Sequence, residues 1–269
     1  MKQTYRLLVL DLDGTLTNSK KEITPRNLKA LIRLQQNGTR LVLASGRPTY
    51  GIAPLADQLE MREYSGYILS YNGGEIIDWS TGEMLYKNLL PDEVLPILYK
   101  TAVQNNQAIL TYDNEYILTE NPEDKYVLKE AFLNKMKIRP VENFLESIPR
   151  PIPKCLIVGE PAQLMQTEAE LSLKLQRTIS VYRSEPYFLE LVPLGIDKAR
   201  SLAVLLEKLK MTREEMVAMG DGYNDLSMIE FAGMGVAMAN AQEPVKQAAD
   251  YITLSNDEDG VAAAIEKLF

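Results

Sequence analysis

The 269-residue sequence predicts an α/β fold, a doubly wound parallel sheet interrupted by an inserted α+β segment. Three observations carry this. Short apolar runs without charge alternate with segments of helical periodicity, and each run stops at polar or glycine-rich residues. That rhythm breaks after Gly74 and returns near Gly195. Between those points, short strands joined by tight turns imply antiparallel pairing instead. The expected division is a core over 1–81 and 190–269 around an α+β domain over 82–189.

Leu7-Leu8-Val9-Leu10 is a strand buried on both faces, and it meets Asp11-Leu12-Asp13-Gly14 at its end. Thr24-Pro25 is a cap followed by proline at the first helical position, and Asn37-Gly38 stops that helix. A strand over 40–44 ends at Ser45-Gly46-Arg47, and Pro48 opens a helix to about Glu60. The next strand, 66–71, ends at Asn72-Gly73-Gly74.

In the middle of the chain the pattern predicts a hairpin around Ser80-Thr81-Gly82, a helix over 91–105 and a strand pair over 107–119. A helix over 123–134 follows, then a proline-rich loop over 138–153. A strand over 154–158, a helix over 161–175 and strands over 178–182 and 187–192 complete it. The first rhythm then resumes with a helix over 195–209 and a strand over 216–219 ending at Gly220-Asp221-Gly222-Tyr223-Asn224-Asp225. Alternating elements over 235–237, 243–249 and 251–254, and a helix from Asp257, close the chain.

Composition narrows the chemistry. There is no histidine, which removes histidine-activated nucleophiles and histidine-ligated metals. The single cysteine, Cys155, excludes an intrachain disulfide and reads as a small buried residue. A net charge of −8 argues against a nucleic-acid surface or an anionic membrane face. No apolar run reaches the ~18 residues of a membrane-spanning helix. The opening apolar segment meets acid too soon for a signal peptide, so the cytoplasm is the expected location.

Four polar clusters fall at strand ends or a helix start: Asp11 to Thr15, Ser45 to Arg47, Gly195 to Lys198, and Gly220 to Asp225. Chemistry gathers at the carboxyl ends of strands in open α/β sheets. Singly, each cluster has a plain structural reading: turn aspartates, a helix cap, a solvated lysine, a glycine turn. Arg47 reads equally as an ion-pair partner or a phosphate contact, and Asn72 reads first as a turn residue.

Together the clusters resemble the haloacid dehalogenase superfamily of aspartyl phosphatases. The likeness rests on DLDGTLT at 11–17, the serine of SGR at 45–47, Lys198 and GDGYNDLSM at 220–228. The insertion, with NGG at 72–74 and FLELVPLGIDK ending at Lys198, is similar to the Cof-type, subclass IIB pattern. The resemblance implies a Rossmann-like core with an inserted α+β cap that closes over the site. It implies a Mg²⁺-dependent phosphatase of small phosphorylated metabolites, with no nucleic-acid or membrane partner. Asp11 would be the nucleophile and Asp13 the general acid and base. Asp11, Asp13 through its carbonyl, and Asp221 would hold the metal, with Asp225 in support. Leu12, Ser45, Gly46, Arg47, Lys198 and Asn224 would bind the phosphate or substrate.

Physical chemistry agrees with that assignment. Unaided phosphate-monoester hydrolysis is slow enough to require acceleration near ~10²¹. A carboxylate nucleophile splits the reaction into two easier steps. A general acid at Asp13 must start protonated, and a carboxylate neighbour and poor solvation would raise it from its ordinary ~3.9. A phosphomutase of the same core is the near rival. A phospho-accepting receiver or a non-catalytic binding protein is the distant one.

Overall fold

The computed structural model describes residues 5–269. These fall into two compact units, one comprising the described residues up to Tyr86 with Asp197–Phe269, the other Lys87–Ile196. The first stretch holds β1 (Leu7–Leu10), α1 (Pro25–Gln36), β2 (Arg40–Ala44), α2 (Thr49–Gln58), β3 (Tyr67–Ser70), β4 (Glu75–Asp78) and β5 (Met84–Lys87). The second holds α3 (Leu95–Gln104), β6 (Ala108–Asp113), β7 (Tyr116–Thr119), α4 (Lys125–Asn134), β8 (Lys137–Pro140), α5 (Phe144–Ser147), β9 (Cys155–Val158), α6 (Pro161–Leu175), β10 (Ile179–Glu185) and β11 (Phe188–Pro193). The last holds α7 (Lys198–Leu209), β12 (Met216–Gly220), α8 (Leu226–Phe231), β13 (Met234–Ala237), α9 (Glu243–Ala248), β14 (Tyr251–Ile252) and α10 (Gly260–Leu268).

Among the described residues the first unit is built on an eight-stranded sheet in the order β14-β13-β12-β1-β2-β3-β4-β5. Strands β14 to β3 run parallel, and β4 pairs antiparallel to β3. The chain leaves β1 toward β2 on one side and returns to β12 on the other, so β1 sits at the reversal of strand order. That reversal opens a crevice at the carboxyl ends of the strands. Every residue of β1 is buried because both faces are covered. Leu8, Leu10, Leu41, Leu43, Val217 and Met219 pack on the face shared with Leu31 of α1, Ile52 of α2 and Ile265 of α10. Leu7, Val9, Val42, Ala44, Met216 and Ala218 pack on the other, against Leu202, Leu205 and Leu206 of α7 and Met228 of α8. Thr24 caps α1 by accepting from the Asn27 N–H, with Pro25 in the first turn.

The second unit is a six-stranded sheet in the order β10-β11-β9-β6-β7-β8, antiparallel except for β7 with β8. Leu95, Leu98, Leu164 and Leu171 of α3 and α6 cover the sheet residues Ile109, Ile157, Leu189 and Leu191. Cys155 is fully buried there, and burial pushes its thiol up to about 12, which leaves it inert at neutral pH.

One expectation is corrected. The proline-rich stretch 138–153 is not a loop throughout: it contains the end of β8 and the short α5. Pro140 is tolerated because β8 is an edge strand, where no neighbour needs the missing N–H. In the structure β5 belongs to the first sheet and β11 runs on to Pro193 in the second, and the compact units change over after Tyr86 and after Ile196. No helix among the described residues is long and apolar enough to cross a membrane.

Candidate active site

The site lies in the first unit, where β1, β2 and β12 end. The Asp11 N–H donates to the Met219 carbonyl at 3.0 Å, so the parallel ladder continues one residue past Leu10 and fixes the carboxylate at the sheet's edge. Beyond it the chain folds back on itself. The Leu16 N–H meets the Asp11 carbonyl at 3.2 Å, and the Thr17 N–H and hydroxyl both meet the Leu12 carbonyl at 2.9 Å. The Leu12 side chain packs in the core, so any contact it makes with substrate falls to its own N–H. Gly14 has φ +88°, and a Cβ there would collide with the Asp221 carboxylate.

Lys198 opens α7 and is 1% exposed. Its Nζ donates to Asp11 Oδ1 at 2.7 Å, to the Ala44 carbonyl at 2.8 Å and to Asp225 Oδ1 at 2.6 Å. An ammonium has three protons, and all three are used. In this arrangement Lys198 holds the two carboxylates and the carbonyl that ends β2. Asp225 is completely buried, and its Oδ2 accepts from the N–H groups of Asp221 at 3.0 Å and Gly222 at 2.9 Å, which shapes the loop after β12. Asp221 Oδ1 accepts from the Thr15 hydroxyl at 2.9 Å.

Carboxylate oxygens of Asp11, Asp221 and Asp225 all lie within 4.8 Å of one another. Burial and the charge of Asp225 push Asp11 well above the usual carboxylate range, against the pull of Lys198. Burial likewise lifts Asp221, to about 6, although the Thr15 hydrogen bond opposes it. Three crowded carboxylates facing one lysine leave negative charge uncompensated. A hard divalent cation such as Mg²⁺ fits this all-oxygen donor set.

The Asp13 carboxylate is not one of that group of three, although its charge helps raise Asp221. Arg47 Nε donates to Asp13 Oδ2 at 2.8 Å and Nη2 to its Oδ1 at 2.6 Å, and Lys21 Nζ adds a contact to Oδ1 at 2.7 Å. Burial favours the neutral acid, but the Arg47 and Lys21 contacts outweigh it and hold Asp13 below the usual carboxylate range. The expected protonated resting state is thus overturned. Asp13 rests as a carboxylate, because two cations that its proximity to Asp11 did not reveal are paired with it.

Ser45 is buried, and its N–H donates to the Leu69 carbonyl at 2.9 Å. Its Oγ accepts from the Arg47 N–H at 3.2 Å, which leaves the hydroxyl proton to donate. Pro48, not Ser45, stands at the N-cap position of α2, with no side-chain capping bond. Asn224 reaches Asn72, with Nδ2 to Oδ1 at 3.3 Å. Lys198, Asp221 and Asp225 thus gather at Asp11, Ser45 follows the end of the neighbouring strand β2, and Arg47 is drawn to Asp13. Lys21 was missed because a lysine in an exposed polar loop carries no signal of its own. Thr15 lay in plain view as the hydroxyl after DLDG.

The haloacid dehalogenase-like hydrolase family matches residues 8–265. A phosphatase of Bacillus subtilis named for 5-amino-6-(5-phospho-D-ribitylamino)uracil, YcsE, is 32% identical, covering 97% of this chain and 94% of its own. The structure of a haloacid dehalogenase-like hydrolase from Bacteroides thetaiotaomicron is 67% identical with TM-score 0.97, covering 99% of this chain and 100% of that one. The structure of TM0651 from Thermotoga maritima is 30% identical with TM-score 0.91, covering 99% and 98%. With carboxylates at the end of β1 and a family match over almost its whole length, the chain belongs to the haloacid dehalogenase-like hydrolases and is a phosphatase of the Cof type.

Proposed function

We propose that this phosphatase is a magnesium-dependent cytoplasmic enzyme that hydrolyses small phosphorylated metabolites, sugar phosphates among them, through an aspartyl phosphate on Asp11. The observation that carries the reading is the buried pair of Lys198 and Asp11 at the carboxyl end of β1. With Lys198 on Oδ1, the other oxygen, Oδ2, is left to attack. An Oδ2–P bond would form as the bond from phosphorus to the leaving oxygen breaks, and Asp13 would deliver a proton to that oxygen. Asp13 reaches this role only after acquiring a proton and giving up its contacts with Arg47. In the second step Asp13 takes a proton from water, which attacks phosphorus and frees Asp11. The Ser45 hydroxyl, the Gly46 N–H and Asn224 would bind the non-bridging oxygens. Magnesium, held by Asp11, Asp221 and the Asp13 carbonyl, would offset the negative charge of substrate and carboxylates. The name of YcsE supports a small phosphorylated metabolite as substrate.

Phosphate release from a panel of phosphorylated metabolites, with Mg²⁺ and with EDTA, tests this. Release that needs Mg²⁺ is expected. No release, or release indifferent to EDTA, contradicts the reading. Isomerised monophosphate instead of free phosphate from a hexose bisphosphate would make the enzyme a mutase.

A further inference from the structure

The turn between β3 and β4 is strained, and it lies against the residues just assigned to the phosphate. Tyr71 and Asn72 have φ of 55° and 56°, and the Gly73 N–H closes the turn on the Ser70 carbonyl at 3.0 Å. Positive φ at both central positions suits Asn-Gly, and an aromatic residue there is unfavourable. Burial of the Tyr71 ring, with its hydroxyl at the Thr49 backbone, offsets that strain. Strain of this kind gathers at functional sites.

The strained turn grips the SGR segment. The Tyr71 N–H donates to the Arg47 carbonyl at 3.1 Å, and the Asn72 N–H to the Ser45 carbonyl at 2.9 Å. The Asn72 carboxamide lies over the residue between them: a Cβ on Gly46 would stand 3.1 Å from its Nδ2 and 3.2 Å from its Oδ1. Its Oδ1 accepts from Asn224 Nδ2 at 3.3 Å. Asn224 Nδ2 carries two protons, so one is held by Asn72 and one remains for a ligand oxygen. An acceptor on one side also fixes which end of the Asn224 amide is the donor.

We propose that Asn72 is a positioning residue of this phosphatase, orienting the Asn224 amide so that Asn224 and the Ser45–Gly46 segment face the phosphoryl group as one donor set. The proposal rests on the phosphatase reading above. Asn72 would touch no reacting atom; it acts through Asn224.

Asn72→Gly tests it, because glycine keeps the left-handed turn and removes only the carboxamide. Kinetics with p-nitrophenyl phosphate, and inhibition by inorganic phosphate, would be measured for Asn72→Gly, Asn224→Ala and the double variant. The expected result is a loss of about tenfold in kcat/KM for Asn72→Gly, matched by weaker phosphate inhibition and an unchanged melting temperature. In the Asn224→Ala background the same change should cost almost nothing further. Wild-type activity in Asn72→Gly, or losses that simply multiply in the double variant, would overturn the proposal while leaving the phosphatase reading intact. The melting temperature of Asn72→Gly checks the fold, since glycine carries no Cβ penalty at this φ. A wild-type chain inactive on every phosphomonoester would overturn both.

Discussion

Arg47 holds Asp13 with a two-pronged grip, Nε on Oδ2 at 2.8 Å and Nη2 on Oδ1 at 2.6 Å. The two residues come from the ends of neighbouring strands, β1 and β2, and the planar guanidinium matches the carboxylate in a way lysine cannot. The residue expected to give a proton is therefore kept without one at rest.

This yields a first prediction. Arg47→Met should move the Asp13 titration midpoint upward, because burial would then be opposed by Lys21 alone. Lys21→Met should move it less, since Lys21 is exposed to solvent screening. Carbon-detected NMR of the aspartate carboxyls would read both shifts. An Asp13 midpoint unmoved in Arg47→Met contradicts the account.

Lys198 is enclosed by two carboxylates, so removing it strands their charge. Lys198→Met should lower unfolding stability by about 3–5 kcal/mol at neutral pH in metal-free buffer. Urea denaturation would measure it. A loss below about 1 kcal/mol, the scale of an exposed ion pair, would mean that the lysine is not the partner of Asp11 and Asp225.

Gly14→Ala meets two obstacles at once, a left-handed φ and the Asp221 carboxylate. Displacing Asp221 by a fraction of its width should reduce kcat by about tenfold or more. The comparison variant is Gly38→Ala, which also has a positive φ but nothing near its Cβ. It should lose stability only. Equal activity losses in the two variants would show that the collision at Gly14 does not matter.

What the sequence made legible, and what it hid, follows from the range of each signal. Asp11, Ser45 and Asp221 could be found because each follows an apolar strand of a parallel sheet, a local pattern. Lys198 could be placed only through family likeness, since nothing local separates it from a solvated lysine. The pairings of Arg47 and Lys21 with Asp13, and of Asn72 with Asn224, depend on side-chain directions across the sheet edge. No periodicity encodes those directions. The strand Lys137–Pro140 was hidden for another reason: proline signals loop unless the strand is known to lie at an edge.

The metal reading has a pH consequence. Asp221 stands near 6 in the folded chain and near ~3.9 when unfolded. Its ionisation therefore costs stability, a cost absent below the unfolded value, growing up to about pH 6 and complete above it. Magnesium needs the carboxylate, so below that value it must compete with a proton. Thermal shift on adding Mg²⁺ should be clearly larger at about pH 7.5 than at about pH 5. Equal shifts would mean that Asp221 is not a ligand.

The most direct test of the central claim is turnover of p-nitrophenyl phosphate by Asp11→Asn. The substitution keeps the shape of the side chain and removes the nucleophile. Activity should fall to below about a thousandth of wild type, with Mg²⁺ present and the fold intact. Retention of more than about a tenth would show that Asp11 does not attack phosphorus.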